Sequence, residues 1–417
     1  SVGTGNAPAY SFSYAENSAT TATLGTISAS DPEGATLTYS LTGGNTDGWY
    51  TINSSTGVIT LTATGAASLA NDFETTPNSR TLTVSVSDGS LATTIEVILT
   101  ETNVNDVAPA FTNTNATGTT NAASYSFDYA ENTASGTTLG TVSASDAEGD
   151  ALTFAITGGD PNGWFTVNSS TGAISLTSAG AASLANDFET TPNSRVLTVT
   201  VSDGTNSTVI EVKLNETNAN DGAPSFTGTN ATGTGNAPSY SFSYAENSAA
   251  GATLTTLSAS DPDGNTLTYS LTGGNAEGWY AINASTGVIT LTATGAASLA
   301  NDFEATPNTR VLTAAVSDGS NTTTIEVRLS ETNVNDGTPV FTGTNATGTG
   351  NAPAYSFDYA ENAAAGTSLA TLAASDADGD TMSYALTGGN TDGWYAINAS
   401  TGVITLTATG ATSLAND

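Results

Sequence analysis

The chain has 417 residues, no Cys and no His, and a formal net charge of −34 from 39 acidic and 5 basic residues. Without Cys and His it cannot form disulfides, thiolate or imidazole metal sites, or Cys–His and Ser–His catalytic pairs. Its negative surface repels nucleic acid and anionic membranes and attracts cations, and no apolar run approaches the ~20 residues that a membrane-spanning helix needs. The abundance of Ser, Thr, Asn and Gly is typical of a secreted β-protein, which predicts an extracellular or cell-surface location.

Within the first 109 residues, short stretches alternate apolar and polar side chains with period two, which predicts half-buried strands. The clearest are residues 10–14, 37–41, 82–86 and 95–99. Turn sequences separate them, among them Asp-Pro-Glu-Gly at 31–34 and Asp-Gly at 88–89. About seven such strands favour a Greek-key β-sandwich of the immunoglobulin type, an all-β fold. Residues 66–73 lack alternation and are predicted to form a single helical turn.

The same pattern returns after 115 positions, as when Glu16 recurs at Glu131, which indicates one structural unit copied in tandem. We expect four repeats: 1–109, 110–224, 225–339 and a truncated 340–417. A polar segment at 112–124 recurs at 227–239 and 342–354 and is interpreted as a linker or surface loop.

Acidic residues are tied to this period. One set lies in Ala-Glu-Asn, a second opens Asp-x-(Glu/Asp)-Gly, and a third follows Leu-Ala-Asn. The three sets are Glu16, Glu131, Glu246 and Glu361; Asp31, Asp146, Asp261 and Asp376; and Asp72, Asp187, Asp302 and Asp417. Because each repeat carries the same carboxylates, the pattern predicts a modular rod whose joints bind a hard cation.

Four ordered motifs resemble the cadherin repeat, and more closely its bacterial cadherin-like relatives in large surface adhesins. Residues 15–17 are similar to that family's Pro-Glu-Asn, and residues 72–74 to its Asp-Arg-Glu. Residues 103–109 are similar to Asp-x-Asn-Asp-Asn-x-Pro, residues 146–148 to Asp-x-Asp, and Asp203 to a late-strand aspartate. The resemblance covers the three full repeats and the partial fourth.

The resemblance implies tandem β-sandwiches in an extended rod, with up to three Ca²⁺ ions at each junction between repeats. The first joint would combine Glu16, Asp72, Glu74, Asn103, Asn105 and Asp106 with Asp146, Glu148 and Asp203. The second joint would combine Glu131, Asp187, Glu189, Asn218, Asn220 and Asp221 with Asp261, Asp263 and Asp318. The third joint would combine Glu246, Asp302, Glu304, Asn333, Asn335 and Asp336 with Asp376 and Asp378.

The chain departs from the family pattern in ways that bear on these joints. Asn103, Asn218 and Asn333 stand where the family has the first linker Asp, which removes one charge from each joint. The second linker Asn is replaced by Val107, Gly222 and Gly337, at a position that can ligate through its carbonyl. The Asp-x-Asp motif is Asp-x-Glu in repeats 1 and 2.

These features favour a structural role without catalysis: a calcium-rigidified extender of a large secreted bacterial adhesin, whose partners are the neighbouring repeats of its own chain. An alternative is self-assembly with copies of itself into an extracellular filament, sheath or surface layer. A weaker alternative is a carbohydrate-binding module that stacks sugars on recurring tryptophans, although these are more often packed on the core. The tryptophans are Trp49, Trp164, Trp279 and Trp394.

Overall fold

The protein is all-β in a computed structural model, which describes residues 8–69, 71–75, 77–190, 192–299 and 301–414. Asp417, one of the recurring acids, lies outside the described residues. The chain divides into two compact units, Ser1–Ala219 and Asn220–Asp417, and each is described by itself.

Repeat 1 has the seven strands that its alternation predicts. They form one sheet in the order β1-β7-β6-β3 and a second in the order β2-β5-β4. β1 runs parallel to β7, and the remaining pairs in the two sheets are antiparallel. The elements are β1 (Ala9–Ala15), β2 (Gly25–Thr26), β3 (Thr38–Gly43), β4 (Tyr50–Ile52), β5 (Val58–Leu61), α1 (Ala63–Ala66), β6 (Ser79–Ser87) and β7 (Ala92–Thr102). The inward residues of both sheets form one core cluster that includes Leu82, Val84, Val97 and Leu99.

Repeat 2 keeps this arrangement and adds strands before and within it. The elements are β8 (Ala110–Thr112), β9 (Ala116–Thr117), β10 (Ala123–Ala130), β11 (Thr138–Thr141), β12 (Ser143–Ser145), β13 (Thr153–Gly158), β14 (Phe165–Val167), β15 (Ala173–Leu176), α2 (Ser178–Ala181), β16 (Ser194–Ser202) and β17 (Ser207–Thr217). The sheets are β13-β16-β17-β10-β9, β11-β15-β14 and β12-β8.

The second unit repeats these elements. Those of repeat 3 are β18 (Ser225–Thr227), β19 (Ala231–Thr232), a 3-10 turn (Thr234–Asn236), β20 (Pro238–Ala245), β21 (Thr253–Thr256), β22 (Ser258–Ser260), β23 (Thr268–Gly273), β24 (Tyr280–Ile282), β25 (Val288–Leu291), α3 (Ala293–Ala296), β26 (Thr309–Ser317) and β27 (Thr322–Thr332). Its sheets are β19-β20-β27-β26-β23, β21-β25-β24 and β18-β22.

Repeat 4 has the remaining elements: β28 (Val340–Thr342), β29 (Ala346–Thr347), a 3-10 turn (Thr349–Asn351), β30 (Pro353–Ala354), β31 (Ser368–Thr371), β32 (Ala373–Ser375), β33 (Tyr395–Ile397), β34 (Val403–Leu406) and α4 (Ala408–Ala411). Phe357 and Tyr359 are 41% and 40% exposed, whereas Tyr14, the counterpart of Tyr359, is 7% exposed.

The polar segment at 112–124, interpreted above as a linker or loop, is instead a short hairpin held on the sheet edge. β9 pairs antiparallel with β10. Asn115 fixes the hairpin because its side chain both donates to the Ser126 carbonyl, at 2.9 Å, and accepts from the Ser126 amide, at 2.7 Å. Glu211 accepts from the backbone amide and the hydroxyl of Thr119. Because β9 covers part of an edge strand, it reduces the number of unpaired backbone groups there.

The helical turn predicted at residues 66–73 lies earlier, at α1. The Thr62 hydroxyl caps its start by accepting from the Gly65 amide at 3.1 Å. A Cβ on Gly65 would lie 2.2 Å from the Trp49 carbonyl oxygen, so only glycine allows this close approach. The cap and the glycine together place the turn before residue 66, and the prediction was wrong by about one turn.

Candidate metal centres

The first joint is organised around Glu16, at the end of β1. This side chain is 2% exposed. Its Oε2 accepts from the Phe73 amide at 2.5 Å and its Oε1 from the Val104 amide at 2.6 Å. Glu16 therefore ties the loop that carries Asp72 and Glu74 to the linker that follows β7.

Around Glu16 the structure brings carboxylates together. Glu16, Glu74 and Asp106 each offer one oxygen, and the three oxygens lie within 4.8 Å of one another. Burial, a contact with the Asp72 carboxyl and the charge of Glu16 raise the pKa of Glu74 to about 7. Burial is the largest of these causes, and the neighbouring carboxyl groups add to it.

Repeat 2 contributes the other half of the first joint. Asp146 and Glu148 lie in the loop after β12, and the Val107 amide donates to Glu148 Oε1 at 2.8 Å. The Asn103 side chain approaches the Glu148 carbonyl at 3.4 Å. The Asn105 side chain approaches the Asp203 carbonyl at 3.5 Å. The linker asparagines therefore contact both acidic loops of the next repeat.

Asp203 is held in place by its own loop. Its Oδ1 accepts from the amides of Thr205 and Asn206, both at 2.6 Å. Burial alone would raise its pKa, but these hydrogen bonds outweigh burial and lower the pKa of Asp203. Asp203 therefore carries a negative charge at the linker at neutral pH.

Buried carboxylate oxygens without a donor test whether a cation fits this site. Among the described residues, Glu74 Oε2, Asp146 Oδ2 and Glu148 Oε2 are buried and accept no hydrogen bond. An unpaired buried charge is costly unless a counter-ion compensates it. Every candidate ligand is a carboxylate, amide or carbonyl oxygen, and Ca²⁺ takes six to eight such ligands. The residues present fit Ca²⁺.

The third joint has the same construction. Glu246 is 2% exposed and accepts from the amides of Phe303 and Val334. Glu246, Asp302 and Glu304 form one group of carboxylate oxygens within 4.8 Å, and Glu304, Asp336 and Asp378 form another. Burial, the Asp302 carboxyl and the charge of Glu246 raise the pKa of Glu304 to about 7.

Linker contacts also recur in the third joint. The Asn333 side chain donates to the Asp378 carbonyl at 2.8 Å, and the Gly337 amide donates to Asp378 Oδ2 at 2.7 Å. The Asp378 amide donates to Asp376 Oδ1 at 3.0 Å. Asp378 Oδ1 is buried without a hydrogen bond among the described residues. Asn335 lies in the same linker, after β27.

The candidate residues of the second joint fall on both sides of the division at Ala219, and each half is described separately. In the first unit, Glu131 accepts from the Phe188 and Ala219 amides, both at 2.6 Å. Asp187 accepts from the Thr190 hydroxyl at 3.4 Å. Glu189 lies in the same loop, and Asn218 follows β17.

In the second unit, the Gly222 amide donates to Asp263 Oδ2 at 2.8 Å. The Asn220 side chain donates to the Asp318 carbonyl at 3.3 Å. Asp261 accepts from the Asn265 amide at 3.1 Å. Asp221 lies between Asn220 and Gly222 in the linker.

Sequence reasoning missed residues that help to form these joints. Asp150 offers an oxygen within 4.8 Å of those of Asp146 and Glu148, and the run Asp-x-Glu-Gly-Asp could have indicated it. Asn17 has a positive φ of 56° and donates to Asp106 Oδ2 at 2.5 Å. Asparagine adopts this left-handed backbone conformation more readily than most residues do. The asparagine of Ala-Glu-Asn could therefore have been predicted to have a structural role.

A buried glutamate near the end of β7, β17 and β27 was also missed. In β7 this glutamate is Glu101, whose side chain lies on the same core-facing side of the strand as those of Val97 and Leu99. In repeat 1, Tyr14 donates to Glu101 at 2.9 Å and its hydroxyl lies 3.2 Å from that of Tyr50. Repeat 3 has the same contacts among Tyr244, Tyr280 and Glu331.

Repeat 2 has Phe165 in place of the second tyrosine, and neither carboxylate oxygen of Glu216 has a hydrogen-bond partner among the described residues. Burial and the charge of Glu131 raise the pKa of Glu216 to about 7. The polar network therefore differs in strength between repeats.

Three of the four tryptophans, Trp49, Trp164 and Trp279, pack on the cores, and arginines cover their rings. The Arg80 guanidinium lies 4.2 Å from the centre of the Trp49 ring, and Arg195 lies over Trp164 at the same distance. Arg310 lies 4.4 Å from the centre of the Trp279 ring. A ring face occupied by a cation is not available to a sugar, which weighs against the carbohydrate-binding alternative in repeats 1 to 3.

Comparison with known proteins finds a matching family over part of the chain. Residues 240–329 and 355–409 match the Cadherin domain family. The Protocadherin-like wing polarity protein stan of Drosophila melanogaster is 31% identical over 336 residues, which are 76% of this chain and 8% of that protein. Protocadherin-16 of Homo sapiens is 30% identical over 325 residues, which are 75% of this chain and 9% of that protein. The chain thus spans about a tenth of the length of these curated relatives.

Solved structures show the same fold. Protocadherin gammaB7 EC3-6, described as a cis-dimer structure, has a TM-score of 0.66 at 22% identity and covers 96% of this chain and 91% of its own. Protocadherin Gamma B2 extracellular cadherin domains 3-6 have a TM-score of 0.61 at 21% identity, covering 96% of this chain and 89% of their own. Among the described residues, no helix has the length and apolar character needed to cross a bilayer.

The proteins that the chain resembles belong to a family of non-enzymatic adhesion proteins. Over residues 240–329 and 355–409 the chain matches the Cadherin domain family, and as a whole it is a tandem all-β array with the fold of the solved protocadherin structures.

Proposed function

We propose that the chain is a calcium-stiffened extender of an extracellular adhesion protein, with Ca²⁺ bound at the junctions between consecutive repeats. The observation that carries this proposal is the set of buried carboxylate oxygens at the first joint that have no hydrogen-bond donor among the described residues. They come from both repeats that meet there, since Glu74 belongs to repeat 1 and Glu148 to repeat 2. A cation bound by both would hold the two repeats together.

The charge at the first joint supports the same proposal. Eight carboxylates are assigned to it, and three divalent ions would bring six positive charges against eight negative ones. Without metal these charges repel one another and the linker loosens. The joint is therefore stiff in calcium and flexible in chelator. The acids of the joint are the seven predicted from the sequence and Asp150: Glu16, Asp72, Glu74, Asp106, Asp146, Glu148, Asp150 and Asp203.

The limits of the repeats follow from the same linkers. We propose that the domains are 1–109, 110–224, 225–339 and 340–417, the first three of which end at the proline that closes a linker motif. The family supports an extracellular location, and the relatives compared above are animal proteins. An origin in a bacterial surface adhesin remains a prediction from the sequence motifs.

Small-angle X-ray scattering of the metal-free chain, in calcium and in chelator, tests this function. We expect a longer maximum dimension, a narrower distance distribution and a higher melting temperature in calcium. Magnesium at the same concentration serves as the control, because it prefers a smaller octahedral site and loses water reluctantly. Replacement of Asp221 with Ala should loosen the second joint alone. Superimposable profiles and equal melting temperatures in calcium and chelator would refute the proposal.

Self-association is a second candidate function. One solved structure of similar fold is described as a cis-dimer. Lateral or end-to-end contacts between copies of this chain would build a filament, sheath or surface layer. Sedimentation velocity in calcium over a hundredfold range of concentration separates the two ideas: a concentration-dependent larger species supports assembly, and a monomer throughout supports a lone extender.

A further inference from the structure

One linker position makes the same hydrogen bond in all three joints but with different partners. It is the residue after the linker aspartate: Val107, Gly222 or Gly337. Its backbone amide donates to the second acid of the following Asp-x-(Glu/Asp) motif. The donor–acceptor distances are 2.8 Å from Val107 to Glu148, 2.8 Å from Gly222 to Asp263, and 2.7 Å from Gly337 to Asp378.

The linker residue and the acid vary together. The linker residue is valine in the one joint where the acid is glutamate, and it is glycine in the two joints where the acid is aspartate. Neither glycine has a positive φ, so backbone conformation does not explain the choice. Space around the carboxylate does explain it.

A side chain at the glycine positions would crowd the aspartate carboxylate, which would have to shift. A Cβ on Gly337 would lie 2.8 Å from Asp378 Oδ2, and a Cβ on Gly222 would lie 3.0 Å from Asp263 Oδ2 and 3.0 Å from Pro262 Cγ. These separations are shorter than a normal van der Waals contact. Glutamate is one methylene longer than aspartate, and its carboxylate accepts from the same amide where the linker residue is Val107, which carries a Cβ.

We propose that the linker residue and the second acid form a matched pair, valine with glutamate or glycine with aspartate, that positions a calcium-ligating carboxylate and can be exchanged only as a pair. This inference rests on the proposed calcium function. The amide holds one carboxylate oxygen, which leaves the other to face the joint: Glu148 Oε2 and Asp378 Oδ1 are the oxygens that lack a donor among the described residues. The linker residue is a positioning residue, because it acts on the ion through the acid.

A mismatch moves that free oxygen. Valine at position 337 forces the Asp378 carboxylate away from the amide, and the free oxygen moves with it. Glutamate at position 378 beside Gly337 reaches the amide but leaves a gap and extra rotational freedom. Groups that orient a ligand typically change metal affinity by about 10–100-fold when they are removed.

The test uses four full-length chains: the parent, Gly337→Val, Asp378→Glu and the double variant. Hydrogen exchange of the peptide spanning residues 333–342, read by mass spectrometry over a calcium titration, gives a midpoint for the third joint alone. The peptide spanning 103–112 serves as an internal reference for the first joint. Exchange of β27 checks that repeat 3 remains folded in each variant.

We expect the calcium concentration at the midpoint to rise about 10–100-fold in Gly337→Val and about tenfold in Asp378→Glu. In the double variant the midpoint should return to within about threefold of that of the parent chain. The reciprocal pair, Val107→Gly with Glu148→Asp, should behave in the same way at the first joint. If the two single effects simply multiply in the double variant, the pairing is wrong although calcium binds. If calcium alters exchange at no joint of the parent chain, the proposed function itself fails.

Discussion

Glu16→Gln is the substitution whose consequence follows most directly from the geometry. Glutamine has one carbonyl oxygen, so it can accept from Phe73 or from Val104 but not from both, and its amino group then faces the other N–H. A hydrogen bond to a charged group is worth about 1.5–3 kcal/mol, and a buried N–H without a partner costs about 1–3 kcal/mol. We therefore expect a local loss of about 2–4 kcal/mol, which corresponds to faster exchange of the affected amides by about 30- to 1,000-fold.

Hydrogen exchange in chelator measures this loss at residues 73 and 104 without any contribution from calcium. The same measurement over a calcium titration should then show that the calcium affinity of the first joint is lower by about 10–100-fold. Glu246→Gln is the matched variant in the third joint and should affect Phe303 and Val334. Glu277→Gln removes the same charge from an exposed acid and should change neither joint. Equal exchange at Phe73 and Val104 in parent and variant would refute the anchoring role of Glu16.

Three further predictions concern the interior of the repeats. Phe165→Tyr should give Tyr129 the hydroxyl partner that its counterparts have, stabilise repeat 2 by about 1 kcal/mol in chemical denaturation, and lower the pKa of Glu216. Because the pKa of Glu216 is about 7 in the folded state and 4.5 in the reference state, its stabilising effect is complete below pH 4.5 and is lost as the pH rises through 7. The chelated chain should therefore melt at a higher temperature at pH 5 than at pH 8, and the reverse order would contradict this. Arg310→Ala should uncover the Trp279 ring, shift its fluorescence to the red and cost about 0.5–1 kcal/mol.

The sheets were the most predictable part of the fold because period-two alternation records which side chains face the core. Leu82, Val84, Val97 and Leu99 were assigned inward and are all buried. Tyr10 and Phe12 on β1 were assigned inward as well but are only partly buried, whereas Tyr14 on the same strand is buried.

Long-range contacts explain what could not be predicted. The hairpin at 112–124 depends on Glu211, which lies far along the chain and gives no local signal. The valine–glutamate and glycine–aspartate pairs join residues 41 positions apart. Their match depends on a separation of a few ångströms that a sequence does not display. Buried Glu101 was overlooked because an acid at an inward position is normally excluded from a core; in the structure Tyr14 donates a hydrogen bond to it.

Isothermal titration calorimetry of the metal-free chain with Ca²⁺ measures directly whether the joints bind calcium. We expect saturable binding of several ions per chain, with dissociation constants of about 10⁻³ M or lower, as in extracellular calcium modules. Fewer ions should bind tightly when Glu16 and Glu246 are both replaced with Gln. Absence of saturable binding at millimolar calcium, or an unchanged isotherm in the double variant, would contradict the claim that these joints are calcium sites.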